Sequence, residues 1–477
     1  MNEDVVTLLT DPVCQMFVNP ESAHFEAEHQ GKRYFFCSAG CEKKFKGNPE
    51  RYVGEAKHEG DNGRTKEPEN QGKTEKQLER LLWVLSAATF LIFFQAYMVA
   101  PLIPRLSHVF GVSSRSIGLV VPAYMIPYGV ATLFYGLLSD RLGRRPIMFA
   151  SLLAFVVFTA LTATAQSASQ MILWRLLTGL GASGVVPLAL VLMGDLFPYE
   201  QRGRPLGWLF GAMAGGAAFG ATAGVILQAF VGWRMLFVGV AVGAACVLAL
   251  LLLYGPLFRA PSAGRVLSFR VVFTGYRSLL AVGRGFRTYG YVLWNGIFHG
   301  GVFAWLGVYL AQRYSLGDVG IGFALLGYGI PGFLLGPTIG RAADRWGRRW
   351  LVPAGLAIAS IAVAVLIPKI PLLMAPVAAA TLSLGYDMTQ PLLAGIVTDL
   401  DRKRVGQAMG LNVFALFIGF GLGSLLFGEA LRLGFGVALA IFCAVQLLAA
   451  LAAIQWFRLE TVVNTAHAAV DHKILSL

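Results

Sequence analysis

From Leu81 to Phe457 the chain is a succession of apolar runs of about twenty residues, separated by short charged turns. Runs of that length span ~30 Å of hydrocarbon as helices. Twelve spans are expected, near 81–103, 116–138, 147–166, 170–193, 206–230, 233–254, 288–312, 319–340, 350–368, 371–398, 407–429 and 434–457. Only 14% of residues are charged, where a soluble domain carries about a quarter. The 56 glycines suit helices that must approach closely without a hydrophobic drive between them. The net charge of +13 does not indicate nucleic acid, because the basic residues sit in turns between apolar runs rather than on a soluble face.

Those turns set the orientation. The loops after spans 2, 4, 6, 8 and 10 hold Arg141, Arg144 and Arg145; Arg202 and Arg204; six arginines from Arg259 to Arg287; Arg345, Arg348 and Arg349; and Arg402, Lys403 and Arg404. The alternate loops hold far fewer. The positive-inside rule then places both termini in the cytoplasm of an inner or plasma membrane protein. No secretory signal is recognisable in residues 1–10, so the first span is expected to direct insertion.

The chain repeats itself. Gly136-Leu-Leu-Ser-Asp140-Arg141-Leu-Gly143-Arg144-Arg145 recurs as Gly340-Arg-Ala-Ala-Asp344-Arg345-Trp-Gly347-Arg348-Arg349. Asp195 recurs as Asp399 at the same spacing. Two parallel six-helix halves follow, a transporter construction that holds its substrate between the halves. These GxxxDRxGRR loops resemble the signature of the major facilitator superfamily, and Arg175-Leu-Leu-Thr-Gly179-Leu-Gly181 resembles its fourth-helix motif. The resemblance covers residues 81–457. It implies secondary transport by rocking of two bundles, with Asp140, Arg141 and Arg144, and likewise Asp344, Arg345 and Arg348, latching the cytoplasmic side. Gly136, Gly143 and Arg145 belong to the same gate. One departure concerns the fifth span. Drug–proton antiporters of the superfamily carry a GPxxGG-like stretch there, whereas Gly216, Gly220 and Gly224 keep the glycine ridge without the proline. The first span offers Gln95 where an acidic residue would be expected.

Ionisable groups at mid-membrane are costly and therefore functional candidates. Arg175, His299 (with Asn295 beside it) and Asp387 (followed by Met388) are the candidates. His299 and Asp387 facing one cavity would suit proton exchange; the structural alternatives are an interhelical hydrogen bond or a pair with Arg175 for Asp387, and a bond from neutral His299 to a backbone carbonyl freed by the neighbouring glycines. His299 with Met388 and Met98 or Met125 offers donors suited to Cu(I), as in superfamily members that import copper. Tyr97, Tyr124, Tyr128, Trp305, Tyr328 and Tyr386 suit a cavity for an apolar or cationic organic solute. Cys246 and Cys443, inside apolar runs, are expected to be small packing residues.

Residues 11–53 carry three cysteines, Cys14, Cys37 and Cys41. In a reducing cytoplasm three thiols suit a metal better than a disulfide. Tyr34-Phe35-Phe36 predicts a strand and Ser38–Phe45 a turn into a short helix. The pattern Asp11-Pro12-x-Cys14-x-Met16, Tyr34-x-Phe36-Cys37-x-x-x-Cys41, Phe45, Pro49-x-x-Tyr52 resembles the YHS (TRASH-like) domain. That resemblance implies Cu or Zn bound by Cys14, Cys37 and Cys41, with His24 or His29 as a fourth ligand. Nothing supports an organic cofactor, an ATPase or another enzyme. Gly72-Lys73-Thr74 lacks the rest of a phosphate loop.

The expected architecture is an all-α polytopic membrane protein, with twelve transmembrane helices in two pseudo-symmetric six-helix bundles of the major facilitator fold, plus a small α+β cysteine-bearing N-terminal domain. Its divisions are a metal-binding domain (1–55), a flexible charged linker (56–80), bundles at 81–254 and 288–457 joined by a basic cytoplasmic loop (255–287), and a tail (458–477). The expected activity is proton-coupled transport of a small organic compound, with efflux favoured, by a monomer in the lipid bilayer. Transition-metal transport and metal-responsive sensing are the alternatives.

Overall fold

The computed structural model describes residues 9–13, 17–18, 25–36, 39–49, 52, 67–197, 203–253, 269–401 and 404–460. The side chains of Asp140, Asp195 and Asp344 lie outside this description, as do Cys14, Cys37 and His24. Contacts divide the chain into two compact units, Met1–Gln71 and Gly72–Leu477.

In the first unit, β1 (Leu9–Thr10) pairs antiparallel with β2 (Phe17–Val18), and β3 (Phe25–His29) with β4 (Lys32–Phe36). Gln30 and Gly31 turn the β3–β4 hairpin, both at positive φ. Two left-handed residues match the twist of the flanking strands. The expected helix follows as α1 (Ala39–Gly47). Phe45 is the centre of a small core, its ring 5.1 Å from Phe36 and 5.0 Å from Tyr34. Ala27 and Cys41 join the same core.

The second unit is helical. Its first half contains α2 (Glu67–Met98), α3 (Ile103–Phe110), α4 (Ser114–Gly118), α5 (Pro122–Leu142), α6 (Arg144–Ala163), α7 (Ala168–Ala182), α8 (Val185–Leu196), α9 (Gly203–Val231) and α10 (Trp233–Leu253). The second half contains α11 (Phe269–Ala281), α12 (Gly283–Tyr314), α13 (Asp318–Ala324), α14 (Ile330–Trp346), α15 (Arg348–Leu366), α16 (Met374–Leu400), α17 (Val405–Ala430) and α18 (Phe435–Trp456). Helix α2 starts inside the stretch expected to be a flexible linker. Glu, Gln and Lys are good helix formers, Pro68 sits in the first turn, and the apolar span propagates the helix backwards.

Among the described residues nine helices are long and apolar enough to cross a membrane. The segments expected as spans 7, 8 and 10 are α12, α13 with α14, and α16. They are helical but fall outside these nine. Helix α12 is buried along most of its length, and a helix facing other helices need not look like lipid. Helices α13 and α14 divide the segment expected as span 8, with residues 325–329 between them. Helix α16 carries Asp387, Thr389 and Gln390.

The repeat is visible in the backbone. Gly143 (φ 91, ψ 149) turns α5 into α6, and Gly347 (φ 80, ψ 156) turns α14 into α15. Each half also has a glycine seam. A Cβ on Gly216 or Gly220 of α9 would press into the carbonyl oxygens of Phe90 and Phe94 on α2, and one on Gly224 into the Met98 side chain. In the second half, Gly419 and Gly423 of α17 meet the carbonyls of Leu293 and Ile297 on α12 in the same way. The glycine ridge therefore packs closely without its proline. In the fourth-helix motif, Gly179 abuts the Tyr124 carbonyl of α5, and Gly181 abuts Ala154 and Phe155 of α6. Cys443 is a packing residue, bonded to the backbone and hydroxyl of Ser360.

Two stability outcomes follow. Gly220→Val or Gly423→Val forces two backbones apart and should cost about 1–3 kcal/mol, whereas Gly207→Ala, with open space at its Cβ, should be neutral; thermal unfolding of the purified proteins tests the contrast. Phe45→Ala should cost about 3–5 kcal/mol, more than so small a core can lose. Limited proteolysis of the full chain should then cut residues 9–52 while sparing the helical unit.

Candidate functional site

The two halves meet on the side away from the repeated basic loops. A Cβ at Gly129 of α5 would lie 3.1 Å from Phe417 Cβ of α17, and one at Gly421 of α17 would strike Ile126. Gly322 abuts Ile226 of α9, Gly329 abuts Ala218, and Gly307 abuts Pro101. Nearer the helix ends away from the basic loops, Gln228 Nε2 donates to Asp318 Oδ2 (2.5 Å), and Arg115 pairs with Glu429 at 3.6 Å. A recess of about 370 Å³ lies there, lined by Arg105, Gln228 and Asp318 among others. Trp305 packs over Gly118 and donates to the Ser424 carbonyl at 2.9 Å, so it helps seal this end. Towards the basic loops the same helices have no such neighbours. Cβ positions at Gly136, Gly207, Gly211, Gly340 and Gly406 meet no atom within 4 Å.

Where the contacts stop, aromatic rings from both halves gather. Tyr97 of α2 lies 5.6 Å from Phe303 of α12 and 6.2 Å from Phe420 of α17. Phe303 lies 4.5 Å from Tyr328, and Phe420 lies 6.0 Å from Tyr386. On the other flank Tyr128 stacks on Phe417 at 4.2 Å.

Asp387 is the acid among these rings, with Tyr97, Tyr328 and Tyr386 as its electrostatic neighbours. It is partly buried. Ser383, one turn earlier on α16, donates to its Oδ2 at 3.0 Å, and the Gly332 N–H of α14 donates to the same carboxylate. Ser383 Oγ also accepts from Gly329 N at 2.9 Å. Sequence reasoning passed over Ser383; its place four residues before Asp387 on a helix was the available signal.

Of the two alternatives for Asp387, the interhelical hydrogen bond is present, from Gly332 of α14, and the pair with Arg175 is not. Arg175 is fully buried in the first half. Its guanidinium donates to Gln95 Oε1 (2.8 Å), the Gln95 carbonyl (3.4 Å) and the Val120 carbonyl (3.2 Å), and its cationic carbon lies 4.3 Å from the Tyr124 ring centre. Gln95 thus serves as the arginine's acceptor rather than replacing a membrane acid. His299 does not bond to a carbonyl freed by its neighbouring glycines, nor to Asp387. It is buried, its ring 5.0 Å from Tyr386, and neither ring nitrogen has a hydrogen-bond partner. Asn295 clasps α12 to α16, donating to Gln390 Oε1 and accepting from Thr389, each at 3.2 Å. The sulfur donors turn elsewhere. Met388 packs towards Gly355 of α15, and Met98 towards Gly224 of α9.

At the basic-loop face, Arg141 and Arg345 are exposed, Arg145 lies over Phe149 (5.7 Å), and Arg348 reaches Gly395 of α16. The carboxylates expected to latch to these groups, Asp140 and Asp344, lie outside the described side chains. A charge cluster that sequence reasoning missed is described instead. Glu460, after α18, takes two bonds from Arg284 (2.8 Å each) and one from Arg287 (3.2 Å). Arg284 also pairs with Asp399 (3.2 Å), and the Glu460 carbonyl accepts from Arg349 N (3.1 Å). Glu460 is more than 300 residues from any acid of the repeated loops' first copy, so spacing gave no hint of it.

In the N-terminal unit, Cys41 and His29 border the Phe45 core, the His29 ring 6.2 Å from Phe45 with its Nε2 buried and without a hydrogen-bond partner among the described residues. An orphaned imidazole nitrogen and a thiol on one small core fit part of a soft-metal ligand set. Among the described residues no group of three such ligands gathers; Cys14 and Cys37 lie outside them.

Comparison with known proteins agrees with this architecture. The Major Facilitator Superfamily model matches residues 85–334 and 296–475, and the YHS domain model matches residues 9–56. An uncharacterized MFS-type transporter, YwfA of Bacillus subtilis, is 26% identical over 79% of this chain and 91% of its own. Puromycin resistance protein pur8 of Streptomyces alboniger is 33% identical over 32% of this chain and 31% of its own. Among solved structures, a D-xylose-proton symporter superimposes with TM-score 0.65 at 17% identity, covering 80% of this chain and 98% of that one. The human organic anion transporter MFSD10 superimposes with TM-score 0.63 at 18% identity, covering 79% and 99%. The chain is therefore an integral membrane protein that belongs to the major facilitator superfamily, a family of transporters, and it carries a YHS domain at its N-terminus.

Proposed function

We propose that this protein is a secondary active transporter of twelve spans, with both termini in the cytoplasm, that exports a small organic compound in exchange for protons. The observation that carries the reading is Asp387. It is the acid among rings supplied by both halves, at the point where their contacts end, and no basic side chain among the described residues pairs with it. Exchanging a proton there changes the charge of the lining between the halves, which a transport cycle requires. The local resemblance to resistance proteins supports export: besides the puromycin resistance protein, Multidrug resistance protein 3 of Bacillus subtilis is 34% identical over 26% of this chain. Gly136, Gly143, Arg141, Arg144, Arg145, Arg345 and Arg348, with Asp140 and Asp344, would close that side in the alternate state.

The N-terminal domain is proposed to bind a soft metal ion through Cys14, Cys37 and Cys41, with His29 completing the set. The ion would cross-link segments too short to bury a stable core alone.

Two measurements test these assignments. In everted vesicles with an acid interior, accumulation of a panel of antibiotics should depend on the protein, and Asp387→Asn should reduce proton-driven transport at least about tenfold while leaving the protein's abundance unchanged. Unaltered transport by the Asn variant would remove Asp387 from the mechanism. Copper and zinc content of the purified full chain should fall to background in Cys41→Ser; equal content in both proteins would dismiss the ligand set.

A further inference from the structure

Helix α14 begins in mid-span with no cap of its own. Its N-cap residue is Gly329, at φ +88, which has no side chain to offer. The first amide groups of a helix need acceptors, and here they find them on α16. Gly329 N donates to Ser383 Oγ, Ser383 Oγ donates to Asp387, and Gly332 N–H donates to Asp387 directly. A Cβ at Gly332 would meet both carboxylate oxygens, at 2.6 and 2.8 Å. The one carboxylate among the rings is thus also the cap of a broken helix, facing that helix's positive end.

The other groups around it are uncharged acceptors of a different kind. The phenols of Tyr97 on α2, Tyr328 in the break and Tyr386 on α16 face it, with His299 of α12 behind the Tyr386 ring. Arg175 is committed to Gln95 and Val120. Phe303 and Phe420 close the ring set. Aromatic faces around one acid are the surroundings that a cationic nitrogen on an aromatic skeleton prefers. The break also touches the opposite half, because Gly329 abuts Ala218 and Gly322 abuts Ile226, both on α9.

Building on the transport reading, we propose that the cargo is an aromatic organic monocation whose charged centre competes with a proton and with the N-terminus of α14 for Asp387, so that cargo binding uncaps α14 and loosens its contact with α9. The balance is one proton against one positive charge. The proton leaves the carboxylate for water on the basic-loop side as the cation arrives, and a proton from the opposite side displaces the cation later. The carboxyl group returns to the cap once the cation has left.

The test uses the full-length protein with radiolabelled tetraphenylphosphonium, a permanent aromatic cation, and chloramphenicol, a neutral compound. Tetraphenylphosphonium should bind, its apparent affinity should fall up to about tenfold per pH unit of acidification, and Asp387→Asn should abolish binding while Asp387→Glu retains it. In Ala218→Cys, tetraphenylphosphonium should raise the rate of maleimide labelling at residue 218 above the unsubstituted background, and should not do so when Asp387→Asn is added. Binding that persists in Asp387→Asn, or labelling that ignores the cation, would overturn the proposal. Proton-driven, Asp387-dependent transport of chloramphenicol with no binding of tetraphenylphosphonium would overturn the cationic cargo yet leave the transporter standing. If no compound moves under a pH gradient, the underlying reading falls, and this inference falls with it.

Discussion

Hydrocarbon offers a backbone amide nothing to bond to, and much of this molecule follows from that. Every span must be a helix, and any interruption must be repaired by a neighbour. Among the described residues, the five-residue interruption between α13 and α14 lies where α16 can supply a serine and an aspartate. A charged side chain in the membrane is thereby made tolerable by the backbone it satisfies, and the backbone is made tolerable by the charge. Neither half of that bargain would survive alone. The same absence of water explains the glycine seams: without a hydrophobic drive between helices, closeness must come from small residues and direct contact.

The two halves have diverged from a common plan. Their turns keep the same left-handed glycines, and their seams keep the same spacing. The buried ionisable groups are distributed unequally. The first half holds Arg175, which donates through two of its three guanidinium nitrogens to Gln95 and the Val120 carbonyl. The second holds His299, Asp387 and the Asn295–Thr389–Gln390 clasp. The first half supplies rings to the shared lining, and the second supplies the titratable acid.

The architecture was legible in the sequence because lipid imposes length and the repeated loops impose symmetry. Residues such as Asp387 and Arg175 stood out because charge is rare in such surroundings. What these groups touch was not legible. Arg175 and Asp387 are the only opposite charges deep in the spans, so pairing them looked natural, but the arginine found a side-chain amide, two carbonyls and a ring nearer at hand. The identity of a partner depends on helix rotation, which hydropathy does not encode. Ser383 was overlooked because serine is unremarkable in a membrane helix until a helix end lies beside it. Likewise α12 and α16 look too polar for lipid because their company is mostly protein.

The Glu460 cluster has a mechanical meaning. It ties the residue that follows the last helix to the first turn of α12, while Asp399 ties the end of α16 to the same arginine and the Glu460 carbonyl holds the start of α15. Four helices of one half are thus lashed together at a single face. A bundle bound in this way transmits torque as a block. Any motion between the halves would then fall at the joint with α5 and α9, where small apolar side chains meet and the Gln228–Asp318 hydrogen bond crosses, rather than within the half that carries the acid.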